Sequence, residues 1–195
     1  MIPAVLYLSF LGIFFIPSNG YIVSNINNLL KFSGNGSMAR HLNLNDQEDM
    51  HFIVIGDWGS GRHHQKEVAD GMGKFCEDSK CDFIISTGDN FYSRGVDSVY
   101  DDQFDESWRD VYNHPSIAHL PWYLTVGNHD HTSDREWYQV AFSHIEPQWN
   151  LPNLAFSFKV SSKVNENAYF TLVSKNGLAH SCSGVGEKQN LIALF

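Results

Sequence analysis

Three short apolar runs punctuate the middle of the chain, and each ends at a glycine. They are Phe52-Ile53-Val54-Ile55-Gly56, Phe83-Ile84-Ile85-Ser86-Thr87-Gly88 and Trp122-Tyr123-Leu124-Thr125-Val126-Gly127. Continuous apolar runs rich in β-branched and aromatic residues predict strands buried on both faces of a parallel sheet. The intervening stretches carry a helical period. Residues 65–77 place Val68, Met72 and Phe75 four and three apart. Residues 97–112 are acidic and amphipathic, with Phe104, Trp108, Val111 and Tyr112 on one face, and Asn113-His114-Pro115 stops them. Residues 134–146 carry Trp137, Val140, Ala141 and Ile145 before Pro147, and predict a further helix. Residues 154–160 and 167–173 read as an antiparallel hairpin. The order β-α-β-α-β followed by a hairpin predicts a layered α/β fold with a mostly parallel sheet and right-handed crossovers.

The flanks differ from this core. Residues 1–20 hold an apolar run too short for a comfortable membrane span, followed by Pro17-Ser18-Asn19-Gly20, and predict a signal peptide. Residues 21–50 are polar and Asn-rich and predict a flexible leader, in which Asn35-Gly36-Ser37 is a glycosylation pattern. The folded domain is placed at 51–173. Residues 174–195 show little periodicity and are read as a divergent tail. Secretion or delivery to a lysosomal or endomembrane lumen is the expected localisation, with no stable membrane span. Thirteen Lys and Arg against 22 Asp and Glu give a net charge of −9. That charge excludes an extended basic surface for nucleic acid. It would also repel phosphorylated ligands, so phosphate chemistry here needs a local cation. Cys76 and Cys81 bracket a short polar loop and are candidates for a local disulfide in an oxidising compartment, with Cys182 left over.

The candidate chemistry lies where the apolar runs stop. Gly56-Asp57, Gly88-Asp89-Asn90-Phe91-Tyr92 and Gly127-Asn128-His129-Asp130 put oxygen ligands at the carboxyl ends of the three strands, the edge where α/β sheets bind ligands. Carboxylates brought together there repel one another unless a cation lies between them. An Asp can bridge two cations, and paired metals suit in-line phosphoryl displacement. A phenol such as Tyr92 selects a hard Lewis acid, with ferric iron the natural choice. Gly59-Ser60-Gly61 lacks the spacing of a nucleotide-binding fingerprint, and no Gly-Lys-Ser/Thr follows it.

These three motifs, in this order, resemble the calcineurin-like metallophosphoesterases. Tyr92 after Gly-Asp-Asn-Phe, and Pro121-Trp122-Tyr123 before the third motif, are similar to the purple acid phosphatases of the small tartrate-resistant type. The resemblance covers roughly residues 52–160. It implies an α-β-β-α metallophosphoesterase sandwich, here incomplete. It also implies acid hydrolysis of phosphomonoesters, of small molecules or phosphoproteins, by a metal-bound hydroxide. Asp57 would bind Fe(3+), Asp89 would bridge the metals, Tyr92 would be the ferric phenolate, and Asn128 would bind a second divalent ion, Fe, Zn or Mn. His129 would serve the leaving group and Asp130 would orient it. The family's later Gly-His-x-Pro-like and Gly-His-x-His motifs do not occur. The chain is therefore expected to be the amino-terminal half of such an enzyme, a monomer with impaired turnover. The alternative is a non-catalytic secreted isoform that binds at most one metal weakly or acts through a partner.

Overall fold

A computed structural model of the chain describes residues 5–8, 42–44, 50–61, 63–162, 168–174 and 191–194. Its strands are β1 (Val5–Leu8), β2 (Leu42–Leu44), β3 (Phe52–Ile55), β4 (Phe83–Ser86), β5 (Trp122–Leu124), β6 (Trp149–Asn150), β7 (Ala155–Ser162), β8 (Ala168–Val173) and β9 (Leu191–Leu194). Its α-helices are α1 (His63–Ser79) and α2 (Glu136–Phe142). The first sheet runs β1-β3-β4-β5-β6 and the second β2-β7-β8-β9. Strands β3 to β6 are mutually parallel, as the apolar runs predict.

The two sheets face each other through aromatic rings. Tyr123 stacks on Phe158 at 3.6 Å, and Phe83 meets Phe158 and Phe170 edge-on at 5.8 and 5.4 Å. The hairpin β7–β8 sets Phe158 opposite Phe170 and turns Phe156, Phe158 and Val160 inward. On the other face of the first sheet a second cluster gathers around Trp58, with Phe91, Tyr112, Trp122 and Trp149 all within 6.4 Å. Helix α1 packs here through Ala69, Met72 and Cys76. Among the described residues, this gives two facing sheets in the layered α/β arrangement expected from sequence.

The helices depart from their predicted extents. Helix α1 is longer than predicted and buries Gln65, Ala69, Met72 and Gly73, leaving Phe75 at the rim. A Cβ on Gly73 would lie 2.3 Å from His114 Cγ, so this face is chosen by close approach to the loop after Asn113. Over 97–112 the regular structure contracts to a π-helical turn, Asp105–Arg109. The polar residues before it hold their own backbone instead. Asp101 carboxylate oxygens accept from the amides of Asp97 (2.6 Å) and Gln103 (2.9 Å), and Ser98 Oγ accepts from Tyr100 (3.1 Å). Phe104, Trp108 and Tyr112 are nonetheless buried. The predicted apolar face over 134–146 is only partly inward: Val140 packs against the core, but Trp137 and, beyond the end of α2, Ile145 are about half exposed, while Glu136, Gln139 and Phe142 are buried.

The short strand β6 was not legible in the sequence. Two further strands come from stretches read as signal peptide and leader. Strand β1 pairs antiparallel with β3, Val5 opposite Ile55, and β2 pairs parallel with β7, Leu42 opposite Val160. From the predicted tail, β9 pairs antiparallel with β8. Asn35 and Cys182 lie outside the described residues. No helix among the described residues is long and apolar enough to cross a membrane. Cys76 and Cys81 form a disulfide that ties the last turn of α1 to the approach to β4.

Candidate metal centre

The carboxyl ends of β3, β4 and β5 converge. Tyr92 Oη lies 2.9 Å from Asp57 Oδ1 and 3.1 Å from Asp89 Oδ2. A phenol has one proton and cannot satisfy both acceptors fully at once. Burial, reinforced by the two carboxylates, pushes the Tyr92 phenol well above its usual value. The backbone amide of His129 donates to Asp89 Oδ1 at 3.0 Å, which draws the third motif onto the second. The His129 ring lies 4.5 Å from the Tyr92 ring, and its Nδ1 donates to the Ser93 carbonyl at 2.7 Å. Asn128 is exposed beside it.

The backbone shows how these loops get so close. Asp57 and Asp89 themselves take left-handed conformations, at φ 57° and 53°. Such positions are costly for a residue with a Cβ and concentrate at functional sites. The flanking glycines serve approach. A Cβ on Gly127 would lie 2.0 Å from Asp89 Oδ1, and one on Gly59 would lie 1.5 Å from the Asn90 carbonyl oxygen. The motifs thus share two tasks: Asp57, Asp89 and Gly88, itself at φ 105°, make the turns, and Gly59 and Gly127 leave room for the neighbouring loop.

Asp130 is fully buried, and its contacts differ from the role implied by resemblance. Its carboxylate accepts from the amides of Asn90 (2.9 Å), Phe91 (3.0 Å) and Gly127 (2.8 Å), and from Gln139 Nε2 (2.8 Å). Burial pushes its carboxyl up to about 6, while the Asn90 and Gly127 amides, Gln139 and the Phe91 amide pull the other way. The group found orienting the His129 ring is the Ser93 carbonyl.

Two carboxylates and a phenol form a hard, all-oxygen donor set around a proton that a cation could replace. That fits a trivalent or hard divalent ion. Among the described residues no cluster of three or more His, Cys, Asp or Glu side chains is placed to hold a metal.

Two carboxylates and a phenol thus meet at the strand ends of a two-sheet α/β sandwich. The calcineurin-like phosphoesterase family model matches residues 50–185, and the chain belongs to that family. It is 38% identical over 110 residues to tartrate-resistant acid phosphatase type 5 of Oryctolagus cuniculus, covering 53% of this chain and 34% of that protein. It is 48% identical over 84 residues to purple acid phosphatase 3 of Arabidopsis thaliana, covering 43% of this chain and 23% of that one. The chain thus spans about a third or less of the length of these relatives. The solved structure titled "GAP50 the anchor in the inner membrane complex of Plasmodium" superposes with a TM-score of 0.53 at 22% identity, over 63% of this chain and 40% of that one. That likeness shows the fold.

Proposed function

We propose that the chain carries the amino-terminal share of an acid phosphatase that hydrolyses phosphomonoesters at a dinuclear metal centre. The observation that supports this most is the meeting of Tyr92 Oη with Asp57 and Asp89. In this reading Asp57, Asp89 and Tyr92 hold Fe(3+), and Asp89 and Asn128 hold a divalent Fe, Zn or Mn ion. The ions, when bound, supply Lewis acidity toward the phosphoryl group.

The chain's own residues supply the rest. With Nδ1 committed to the Ser93 carbonyl, Nε2 of His129 is the nitrogen left to give a proton to the leaving alkoxide. The Tyr92 ring beside His129 limits how far the imidazole can swing. The Cys76–Cys81 bridge supports an oxidising compartment, in keeping with a secreted or lysosomal lumen protein.

The ligand set favours a second reading as well. The three side chains that meet among the described residues also suit a chain that binds iron through the tyrosine side but turns over little or no substrate. Hydrolysis of p-nitrophenyl phosphate at acid pH by the iron-loaded chain separates the two. Turnover that disappears in Asp89→Asn supports the phosphatase. Iron binding without turnover supports the one-metal form.

A further inference from the structure

Beneath the candidate metal centre lies a buried polar network that joins Asn90 and Asp130 of the motifs to Ser86 and Gln139 outside them. Asn90 and Gln139 are both fully buried. Asn90 Nδ2 donates to Gln139 Oε1 at 3.0 Å and to the Thr125 carbonyl at 2.8 Å, and Asn90 Oδ1 accepts from Ser86 Oγ at 2.5 Å. Ser86 Oγ in turn accepts from Trp58 Nε1 at 2.9 Å and from the Gly88 amide at 3.3 Å. Gln139 Nε2 completes the link by donating to Asp130 Oδ1 at 2.8 Å. Asn90 follows Asp89, and Asp130 follows Asn128 and His129, so every loop of the centre is anchored to this network. Burying so many polar groups is costly unless each is paired, and a network paired throughout fixes one geometry.

We infer that Gln139 is a positioning residue of the metal centre: its buried amide joins Asn90 to Asp130 and so fixes the loop carrying Asp89 against the loop carrying Asn128 and His129. It is the one member supplied by α2, and it explains why that helix turns a polar residue inward while Trp137 stays half exposed. The inference rests on the metal-centre reading above. Groups that orient ligands from behind typically change metal affinity by about 10–100-fold when removed.

The test is Gln139→Met in the full 195-residue chain, a change that keeps the volume and removes both hydrogen bonds. Ferric iron and Zn(2+) are the probes, followed by calorimetry and by visible absorption for iron. Affinity is expected to fall about 10–100-fold. The amides of Asn90, Phe91 and Gly127 should exchange faster with solvent, while those of Ile84 and Tyr123 keep their protection. Unchanged affinity overturns the inference, and so does exchange accelerated across the whole sheet. Should Gln139→Met fail to fold, Ser86→Ala, which removes the opposite anchor of Asn90, is measured in the same way. Failure of both to fold marks the network as general structural support and overturns a positioning role. A wild-type chain that binds neither ion removes the metal-centre reading, and the exchange measurement then still decides whether Gln139 joins the loops.

Discussion

Asp57 and Asp89 sit in left-handed backbone conformations because the strands must stop and turn their carboxylates toward one point. That convergence, with Tyr92, was legible from glycine followed by Asp or Asn at the ends of three apolar runs. The work of the glycines was only half legible, because a close approach between loops leaves no mark in one sequence. Gly127→Ala tests it. The added methyl meets Asp89 Oδ1 and should cost about 1–3 kcal/mol of stability, with weaker iron binding measured by calorimetry. Unaltered binding would show that Asp89 can move aside freely. Asp130 gives a pH prediction. Its folded carboxyl titrates near 6, above the usual 3.8, so the folded state holds the proton more tightly than the unfolded chain. Its contribution to stability is therefore full below about pH 4 and is lost as pH rises through about 6. Burial raises Asp82 in the same direction. In urea unfolding of the metal-free protein, wild type should lose stability relative to Asp130→Asn over that range. A difference that grows with pH contradicts the assignment.

At the scale of elements, strands were easier to read than helices. A buried parallel strand is apolar throughout, and no other arrangement hides Phe83-Ile84-Ile85 so well. Helix periods misled where polar side chains do internal work. In α2 the buried positions are Glu136, Gln139 and Phe142, with Glu136 Oε1 3.1 Å from His131 Nδ1, so of the predicted apolar positions Val140 packs against the core while Trp137 does not. Before the π-helical turn, Ser98 and Asp101 satisfy backbone amides with their side chains and delay helix formation. Strand β6 escaped notice because two residues are too few for a pattern, yet its Trp149 is fully buried against Phe91, Phe104 and Trp108. Trp149→Ala should cost about 3–5 kcal/mol, a large fraction of a typical domain's stability of about 5–15 kcal/mol, and chemical denaturation would show it. The Cys76–Cys81 bridge closes a short loop, so its reduction should cost only about 2 kcal/mol. A larger drop in the denaturation midpoint on reduction would mean that the bridge constrains more than this loop.

Across the whole molecule, two sheets meet through aromatic rings while one set of strand ends carries the chemistry. Lining up strand ends in this way lets a rigid core hold acidic groups together that would otherwise separate. The rest of the chain follows from that demand: the Trp58 cluster fixes β3 to β6 from one side, and the β7–β8 hairpin supports them from the other. The family was readable from three short motifs. The support behind them, Ser86, Asn90 and Gln139, was not, because its partners are far apart in sequence and polar residues at interior positions look like loop or surface. The claim on which the account depends is that Asp57, Asp89 and Tyr92 form a metal site. Titration of the metal-free chain with ferric iron, followed by visible absorption, tests it most directly. The account predicts a visible charge-transfer band that saturates with iron and disappears in Tyr92→Phe, with the far-ultraviolet circular dichroism unchanged. Iron that binds without such a band, or a band that survives in Tyr92→Phe, would contradict it.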